Sequence, residues 1–272
     1  MNPTGRRWQV VVLALGFAFF YVPIVWIVGF SFAGDLSALG EGAVSLHWYR
    51  ALLDNEPLQS AAYRSLVLAL LSSAIATVLG TLAGIGLARR PAFAGRGLLI
   101  ALLAIPIFAP EILLGFAFLM LFAALQSTIG WPQGKDLMTL VIAHATLGTP
   151  IVASVVFARV AGRDHALEDA ARDLGARPLR VLCTITIPLA APGIVSGALL
   201  ATTLSFDDIV TSSFLAGPEN ATLPMAIFSG LHVGLDPQIN AIGTLMLAGV
   251  ATVVGLSFAA TSRRWRRAPP AP

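Results

Sequence analysis

The chain reads EDAARDLGARPLRVLCTITIP from Glu168 to Pro188, and this charged stretch lies inside an otherwise apolar sequence. Acidic residues followed by alanines favour a helix at its start. Gly175 and Pro178 then end that helix, because glycine adopts turn conformations readily and proline disfavours helix in the residue before it. A second short amphipathic helix leads to Pro188. The pattern predicts a charged helix–turn–helix between two long apolar segments.

The composition indicates a membrane protein. Of the 272 residues, 57% are apolar and 11% are charged, and the mean hydropathy is +0.82. Soluble domains carry about 25% charged residues. The single cysteine, Cys183, excludes a disulfide within the chain, and we expect it to be a small buried residue.

Six apolar segments are long enough to cross about 30 Å of hydrocarbon, which takes about 20 helical residues. They cover residues 8–32, 65–88, 98–125, 137–158, 192–215 and 239–260. We therefore predict an all-α, polytopic membrane protein, with residues 1–272 forming a single transmembrane domain.

The basic residues predict the orientation. If the N-terminus is cytoplasmic, all but three of the 17 Lys and Arg residues fall on the cytoplasmic side, and the exceptions are Arg50, Arg64 and Lys135. Cytoplasmic loops carry the excess of Lys and Arg in membrane proteins. Both termini and the charged loop at residues 159–190 are therefore predicted to be cytoplasmic, and the pI near 9.6 needs no nucleic-acid partner.

The third apolar segment contains Pro106, Pro110 and Glu111. Two prolines kink or break a helix, and a membrane tolerates the freed backbone groups where they face protein or a water-lined cavity. A carboxylate facing lipid would be costly. We expect Glu111 to face a cavity; the alternative is that it lies at the membrane interface.

The fifth apolar segment contains the adjacent carboxylates Asp207 and Asp208. Two such groups within a span need cations, hydrogen-bond donors or water. No Lys or Arg lies in any predicted span, so a cationic substrate could supply the positive charge. The alternative is that one aspartate caps a broken helix.

Glycine pairs four residues apart occur in two spans, at Gly80 and Gly84 and at Gly193 and Gly197. Small residues let membrane helices approach closely. We interpret both pairs as packing sites within the chain, with an interface to a second subunit as the alternative.

Several kinds of site are missing from the sequence. It has no G-x-x-x-x-G-K-[ST] motif, so no P-loop for ATP is expected here. The histidines are scattered, and His165 with Glu168 lacks a third ligand, so neither a metal site nor a Ser-His-Asp set is predicted. We expect no catalytic residues and no cofactor in this chain.

The opening stretch resembles the EAA loop of ABC-importer membrane subunits, E-A-A-x-x-x-G, nine residues, then I-x-L-P. Asp169 stands in place of the first glutamate, although Glu168 could supply the longer carboxylate, and Ile187 replaces the leucine. The resemblance extends from about Trp8 to Arg263. It implies a coupling loop that contacts a partner ATPase through a residue set comprising Glu168, Asp169, Ala170, Ala171, Gly175, Ile185 and Pro188.

The resemblance also implies partners. One partner is a second permease subunit, with which this chain forms a heterodimer. An ATPase dimer on the cytoplasmic side carries ATP and magnesium. The third partner is an extracytoplasmic solute-binding protein. The expected location is the bacterial inner membrane.

The sequence Ser-Phe-Asp-Asp from Ser205 to Asp208, with Gly217-Pro218 and Thr222-Leu223-Pro224 after it, resembles the second membrane subunit of spermidine/putrescine importers. The implied substrate path contains Glu111, Asp207 and Asp208. Opines or amino-acid derivatives are alternative solutes. Two alternatives belong to other classes of protein. One is an ion-coupled secondary transporter, from which an importer is distinguished by its dependence on ATP. The other is an intramembrane aspartyl protease, which would need two aspartates that face each other from different spans.

Overall fold

The structure, a computed structural model, describes residues 3–33, 45–90, 92–163, 166–233 and 237–266. Helices dominate these residues, and none of them forms a β-strand, so the predicted all-α class is confirmed for this part of the chain. The α-helices are α1 (Pro3–Ser31), α2 (His47–Asp54), α3 (Glu56–Arg89), α4 (Arg96–Phe108), α5 (Glu111–Ile129), α6 (Leu137–Ala161), α7 (Ala166–Asp173), α8 (Pro178–Val181), α9 (Ile187–Asp207), α10 (Val210–Leu215), α11 (Leu223–Val233) and α12 (Gln238–Arg266).

Five helical segments among the described residues are long and apolar enough to cross a membrane. They cover Trp8–Ser31, Glu56–Arg89, Glu111–Ile129, Leu137–Ala161 and Pro178–Asp207. The predicted span 98–125 is divided between α4 and α5, and α12 occupies the place predicted for the last span. The count of six spans therefore stays a prediction.

The charged stretch differs from the prediction in its second helix. α8 does not end but continues through a π-helical turn, Leu182–Thr186, into α9. Regular helix disfavours proline, whose ring clashes with the carbonyl one turn back, and the wider π turn directly precedes Pro188. The helical segment that contains the predicted fifth span therefore begins at Pro178 rather than at residue 192. It ends at Asp207, because α9 stops there and α10 is a separate helix.

The compact unit formed by residues Ser60–Phe228 is organised around α6. Val152 and Val156 of α6 are fully buried and belong to one apolar cluster with Ala76 of α3 and Ala190 and Ala201 of α9. Small partners on α3 and α9 let both helices lie close to α6. This packing fixes the positions of the polar residues that the same three helices carry.

The predicted glycine packing sites on α3 and α9 lie against this central helix. A Cβ atom added at Gly80 would lie 2.6 Å from the Val152 Cβ and 2.7 Å from the Thr149 carbonyl oxygen. At Gly197 the nearest atom would be the Val152 Cα, at 3.1 Å. Gly80 and Gly197 thus each contact α6 of the same chain, as the interpretation of packing within the chain expects.

Gly80→Ala should destabilise the protein, whereas Gly86→Ala on the same helix should not. The Gly80 methyl group would meet backbone atoms that cannot move aside, which costs about 1–3 kcal/mol. Nothing lies within 4 Å of a Cβ at Gly86. Thermal unfolding of the two purified variants in one detergent measures the difference. Equal unfolding temperatures would contradict the close approach of α3 and α6.

The second compact unit comprises Met1–Gln59 with Ser229–Pro272. Here α12 packs against α1 and α2. The Asn55 amide donates to the Gln238 side-chain oxygen at 2.9 Å, and the Trp48 indole N–H donates to the Ala33 carbonyl at 2.6 Å. The side chains of residues 8–27 in α1 are exposed and almost entirely apolar, which suits contact with lipid.

Candidate solute cavity and coupling segment

The unit Ser60–Phe228 contains a cavity of about 340 Å³, and all three carboxylates of the predicted substrate path line it. They are Glu111, Asp207 and Asp208. Much of the remaining lining is apolar, from α4, α5, α6 and α9, with His144 and Ser205 among the polar residues. The structure thus brings together carboxylates from two separate apolar segments of the sequence.

The helix break between α4 and α5 places Glu111 at this cavity. Ala109 and Pro110 are extended, and Glu111 occupies the first turn of α5. The N-terminus of a helix favours a negative side chain, because its free N–H groups carry partial positive charge. Pro110 therefore lies at the break in the predicted third span, whereas Pro106 stays inside α4. Glu111 faces a cavity rather than only lipid.

A second break separates Asp207 from Asp208. Asp207 is the last residue of α9 and is exposed, whereas Asp208 is extended and half-buried. The Asp208 carboxylate accepts hydrogen bonds from the Thr211 N–H at 3.2 Å, the Ser212 N–H at 2.8 Å and the Ser212 hydroxyl at 2.9 Å. Asp208 thus caps α10, which is the alternative that the sequence left open for one aspartate.

His144 supplies a partner for Asp208 that the sequence analysis missed. Its Nε2 atom lies 3.3 Å from the Asp208 Oδ2 atom and 3.2 Å from the Ser212 hydroxyl. Its Nδ1 atom lies 2.8 Å from the hydroxyl of Ser205, which in turn lies 2.9 Å from the hydroxyl of Ser72. The imidazole is only 3% exposed. The predicted spans contain no Lys or Arg that could pair with the aspartates, and the sequence analysis overlooked this histidine as a neighbour of Asp208.

Asp207 differs from its neighbour in having no such partners. Within the described residues, its carboxylate makes no hydrogen bond and no ion pair. Its exposed carboxylate therefore lies at the cavity and is available to accept hydrogen bonds from a solute.

The coupling segment, residues 166–188, begins with α7 and turns at Gly175. Gly175 has φ +83°, a conformation that L side chains rarely adopt. The Gly175 N–H donates to the Arg172 carbonyl at 2.8 Å, and the Ala176 N–H donates to the Ala171 carbonyl at 3.0 Å. These two bonds form a Schellman motif, which ends a helix at a left-handed glycine. The predicted turn residue thus has the conformation expected of it.

Glu168 of α7 faces the interior of its unit. It is 2% exposed. One of its carboxylate oxygens, Oε1, lies 2.7 Å from the Arg89 guanidinium at the end of α3. The same oxygen accepts a hydrogen bond from the Thr186 hydroxyl at 2.8 Å. Glu168 therefore joins α7 to α3 and to the π turn that precedes α9. Neither Arg89 nor Thr186 was a candidate in the sequence analysis.

The other predicted coupling residues lie nearer the surface. Asp169, Ala170 and Pro188 are exposed, and Ala171 and Ile185 are half-buried. The Asp169 carboxylate pairs with Arg172 on the exposed face of α7 at 2.8 Å. Cys183 is also exposed, so the expectation that it is buried is wrong; it lies on the outside of the π turn. The first helix of the predicted helix–turn–helix is α7, which begins at Ala166; residues 164 and 165 lie outside the described part.

Residues 76–267 match the family described as binding-protein-dependent transport system inner membrane component. The chain belongs to this family. Two relatives cover nearly the whole of this permease. The Escherichia coli putrescine transport system permease protein PotI is 40% identical over 90% of this chain and 88% of its own length. The Haemophilus influenzae spermidine/putrescine transport system permease protein PotC is 36% identical over 89% of this chain and 91% of its own length.

A solved structure shares the fold of the permease. A bacterial ABC transporter that imports the acidic polysaccharide alginate has a chain with a TM-score of 0.71, 14% sequence identity, and coverage of 96% of this chain and 98% of that chain. The family match and the two relatives confirm the predicted membership among ABC-importer permeases. The permease is a multi-pass inner-membrane protein.

Proposed function

We propose that this chain is a permease subunit of an ATP-driven importer for putrescine, spermidine or a related cationic amine. The observation that carries the proposal is the cavity that Glu111, Asp207 and Asp208 line, all three at helix breaks within otherwise apolar segments. Burying a carboxylate inside a membrane protein costs free energy unless a cation, a hydrogen-bond donor or water interacts with it. The names of the relatives PotI and PotC agree with such a solute.

The solute path passes Glu111, Asp207 and Asp208. Ammonium groups form charge-assisted hydrogen bonds with carboxylates, which are stronger than neutral hydrogen bonds. Apolar walls suit the methylene chain between two ammonium groups. An opine or another amino-acid derivative carries a carboxylate of its own, which this acidic cavity would repel.

The chain forms one transmembrane permease domain with six spans and both termini in the cytoplasm. It pairs with a second, different permease subunit. A solute-binding protein delivers the amine from outside, and an ATPase dimer binds the cytoplasmic coupling loop at residues 159–190. ATP and magnesium are bound by that dimer, while this chain hydrolyses nothing and holds no cofactor.

Coupling proceeds through α7. Asp169, Ala170 and Ala171 present a shallow surface to the ATPase, and the buried Glu168 transmits movement of α7 to α3 and α9. The turn at Gly175 and the segment from Ile185 to Pro188 keep α7 close to the start of α9. ATP-driven closure of the ATPase dimer then moves the spans around the cavity, which opens alternately to the two sides.

Uptake of labelled putrescine and spermidine into proteoliposomes tests the proposal. The vesicles contain this chain with its neighbouring permease, the ATPase dimer and the binding protein. We expect uptake with ATP, none with a non-hydrolysable analogue, and no effect of an ionophore that removes ion gradients. Uptake that follows an ion gradient would contradict the importer. ATPase activity stimulated by an anionic solute but not by either amine would contradict the amine.

A further inference from the structure

The buried hydrogen-bond network around His144 specifies where its protons lie. The Ser72 hydroxyl donates to the Leu68 carbonyl at 2.7 Å, so towards Ser205 it can only accept. The Ser205 hydroxyl must therefore donate its one proton to Ser72 and accept at its other contact. That contact is the His144 Nδ1 atom at 2.8 Å, which has to carry a proton.

The other ring nitrogen needs a proton as well. The Ser212 hydroxyl donates to the Asp208 Oδ2 atom at 2.9 Å, and a carboxylate accepts only. The His144 Nε2 atom lies 3.2 Å from the Ser212 hydroxyl oxygen and 3.3 Å from the Asp208 Oδ2 atom. A nitrogen without a proton would present a lone pair to the Asp208 carboxylate, which is repulsive in a buried place. Both contacts become favourable when Nε2 donates.

We infer that His144 is a resident imidazolium that neutralises Asp208 and holds it as the cap of α10, which leaves Glu111 and Asp207 to bind the charge of the solute. The inference rests on the proposed function and divides the roles of its three carboxylates. His144 is a positioning residue, since it acts through Asp208. Three carboxylates and one imidazolium leave the cavity two net negative charges, which complements a doubly protonated diamine.

The charged neighbours of His144 are few. Among the described residues, the titratable groups that line the same cavity are Glu111, Asp207 and Asp208. The other polar neighbours of the imidazole are the hydroxyls of Ser205 and Ser212. The network thus connects α3, α6, α9 and α10, and it places a positive charge on the protein side of Asp208.

Nitrogen NMR tests the protonation directly. The permease complex is prepared in lipid with ¹⁵N-labelled histidine, and the His144→Gln variant identifies the His144 signals by their loss. At neutral pH we expect both ring nitrogens of His144 to give signals of protonated nitrogen. One protonated and one unprotonated nitrogen would overturn the inference. This measurement needs no uptake, so it stands even if wild type carries no amine and the proposed function fails.

A double-variant cycle tests the division of roles. Asp208→Asn keeps an oxygen to cap α10 but leaves the imidazolium without its carboxylate, and we expect uptake to fall about tenfold. His144→Gln leaves Asp208 uncompensated and should lower uptake similarly. The double variant restores the local balance and should return to within about threefold of wild type. Double-variant uptake as low as that of Asp208→Asn would overturn the inference, because Asp208 would then serve the solute itself.

A matched double variant distinguishes local pairing from net charge. His144→Gln with Asp207→Asn has the same net charge as His144→Gln with Asp208→Asn. We expect no recovery in the former, since Asp207 makes no hydrogen bond or ion pair with His144 and binds the solute instead. Equal recovery in both double variants would show that only the total charge of the cavity matters, and would overturn the pairing.

Discussion

Glu168→Gln should lower the thermal unfolding temperature of the permease and nearly abolish ATP-driven uptake. Glu168 is buried, and its carboxylate lies 2.7 Å from the Arg89 guanidinium and 2.8 Å from the Thr186 hydroxyl. Removing one member of a buried ion pair costs about 3–5 kcal/mol, because the remaining charge loses its compensation. A loss of this size would loosen α7 from α3 and from the start of α9, so movement of α7 would no longer reach the spans.

Asp169→Asn is the matched control. Asp169 is the adjacent carboxylate on the same helix, but its side chain is 59% exposed and it pairs with Arg172 at the surface. Exposed ion pairs contribute about 0–1 kcal/mol, so the unfolding temperature should barely change. Thermal unfolding in detergent and uptake in proteoliposomes are measured for both variants. If Glu168→Gln unfolds and transports like Asp169→Asn, the buried connection has no role in coupling.

A third variant separates stability from coupling. Arg89→Gln combined with Glu168→Gln removes both charges, and replacing a whole buried ion pair is often neutral or stabilising. The double variant should therefore recover much of the unfolding temperature. If α7 acts on α3 and α9 through this connection, uptake stays low in the folded double variant while the ATPase remains active. Full recovery of uptake would assign the pair a role in stability alone.

The features that could be predicted from the sequence are those with local causes. Pro110 removes a backbone N–H and restricts the residue before it, so the break before Glu111 follows from a few adjacent residues. Gly175 is similarly local, because its left-handed conformation ends α7 within one turn. The lipid environment sets the length of the spans, and their approximate positions follow from hydropathy alone.

The features that could not be predicted depend on which helices pack together. His144 reaches Asp208 only because α6 lies against α9 and α10, and no spacing in the sequence reveals that contact. Glu168 lies in the charged stretch whose residues were expected to contact a partner ATPase, yet it is buried. Its burial comes from Arg89, which belongs to a helix that ends many residues earlier. Pro188 suggested an end of the charged loop, yet a π turn before it keeps the helix continuous.

Asp207→Asn should reduce amine uptake more than any other single change at the cavity, without unfolding the protein. The Asp207 carboxylate is exposed at the cavity and makes no hydrogen bond with the described residues, so little of the folded structure depends on it. A hydrogen bond to a charged group contributes about 1.5–3 kcal/mol, which corresponds to about 10- to 150-fold in affinity. We expect this loss mainly in KM for putrescine.

Asp207→Glu is the control for charge. It keeps the carboxylate on a stem that is one methylene longer, so uptake should fall by less than in Asp207→Asn. The free energy of unfolding of both variants should stay within about 0.5 kcal/mol of that of wild type, as for substitutions away from packed contacts. If both variants transport putrescine as wild type does, Asp207 is not on the solute path. If both lose uptake equally, the position requires the shape of aspartate rather than its charge. Graded loss, with glutamate retaining more uptake than asparagine, would identify the negative charge at the end of α9 as the group that binds the ammonium.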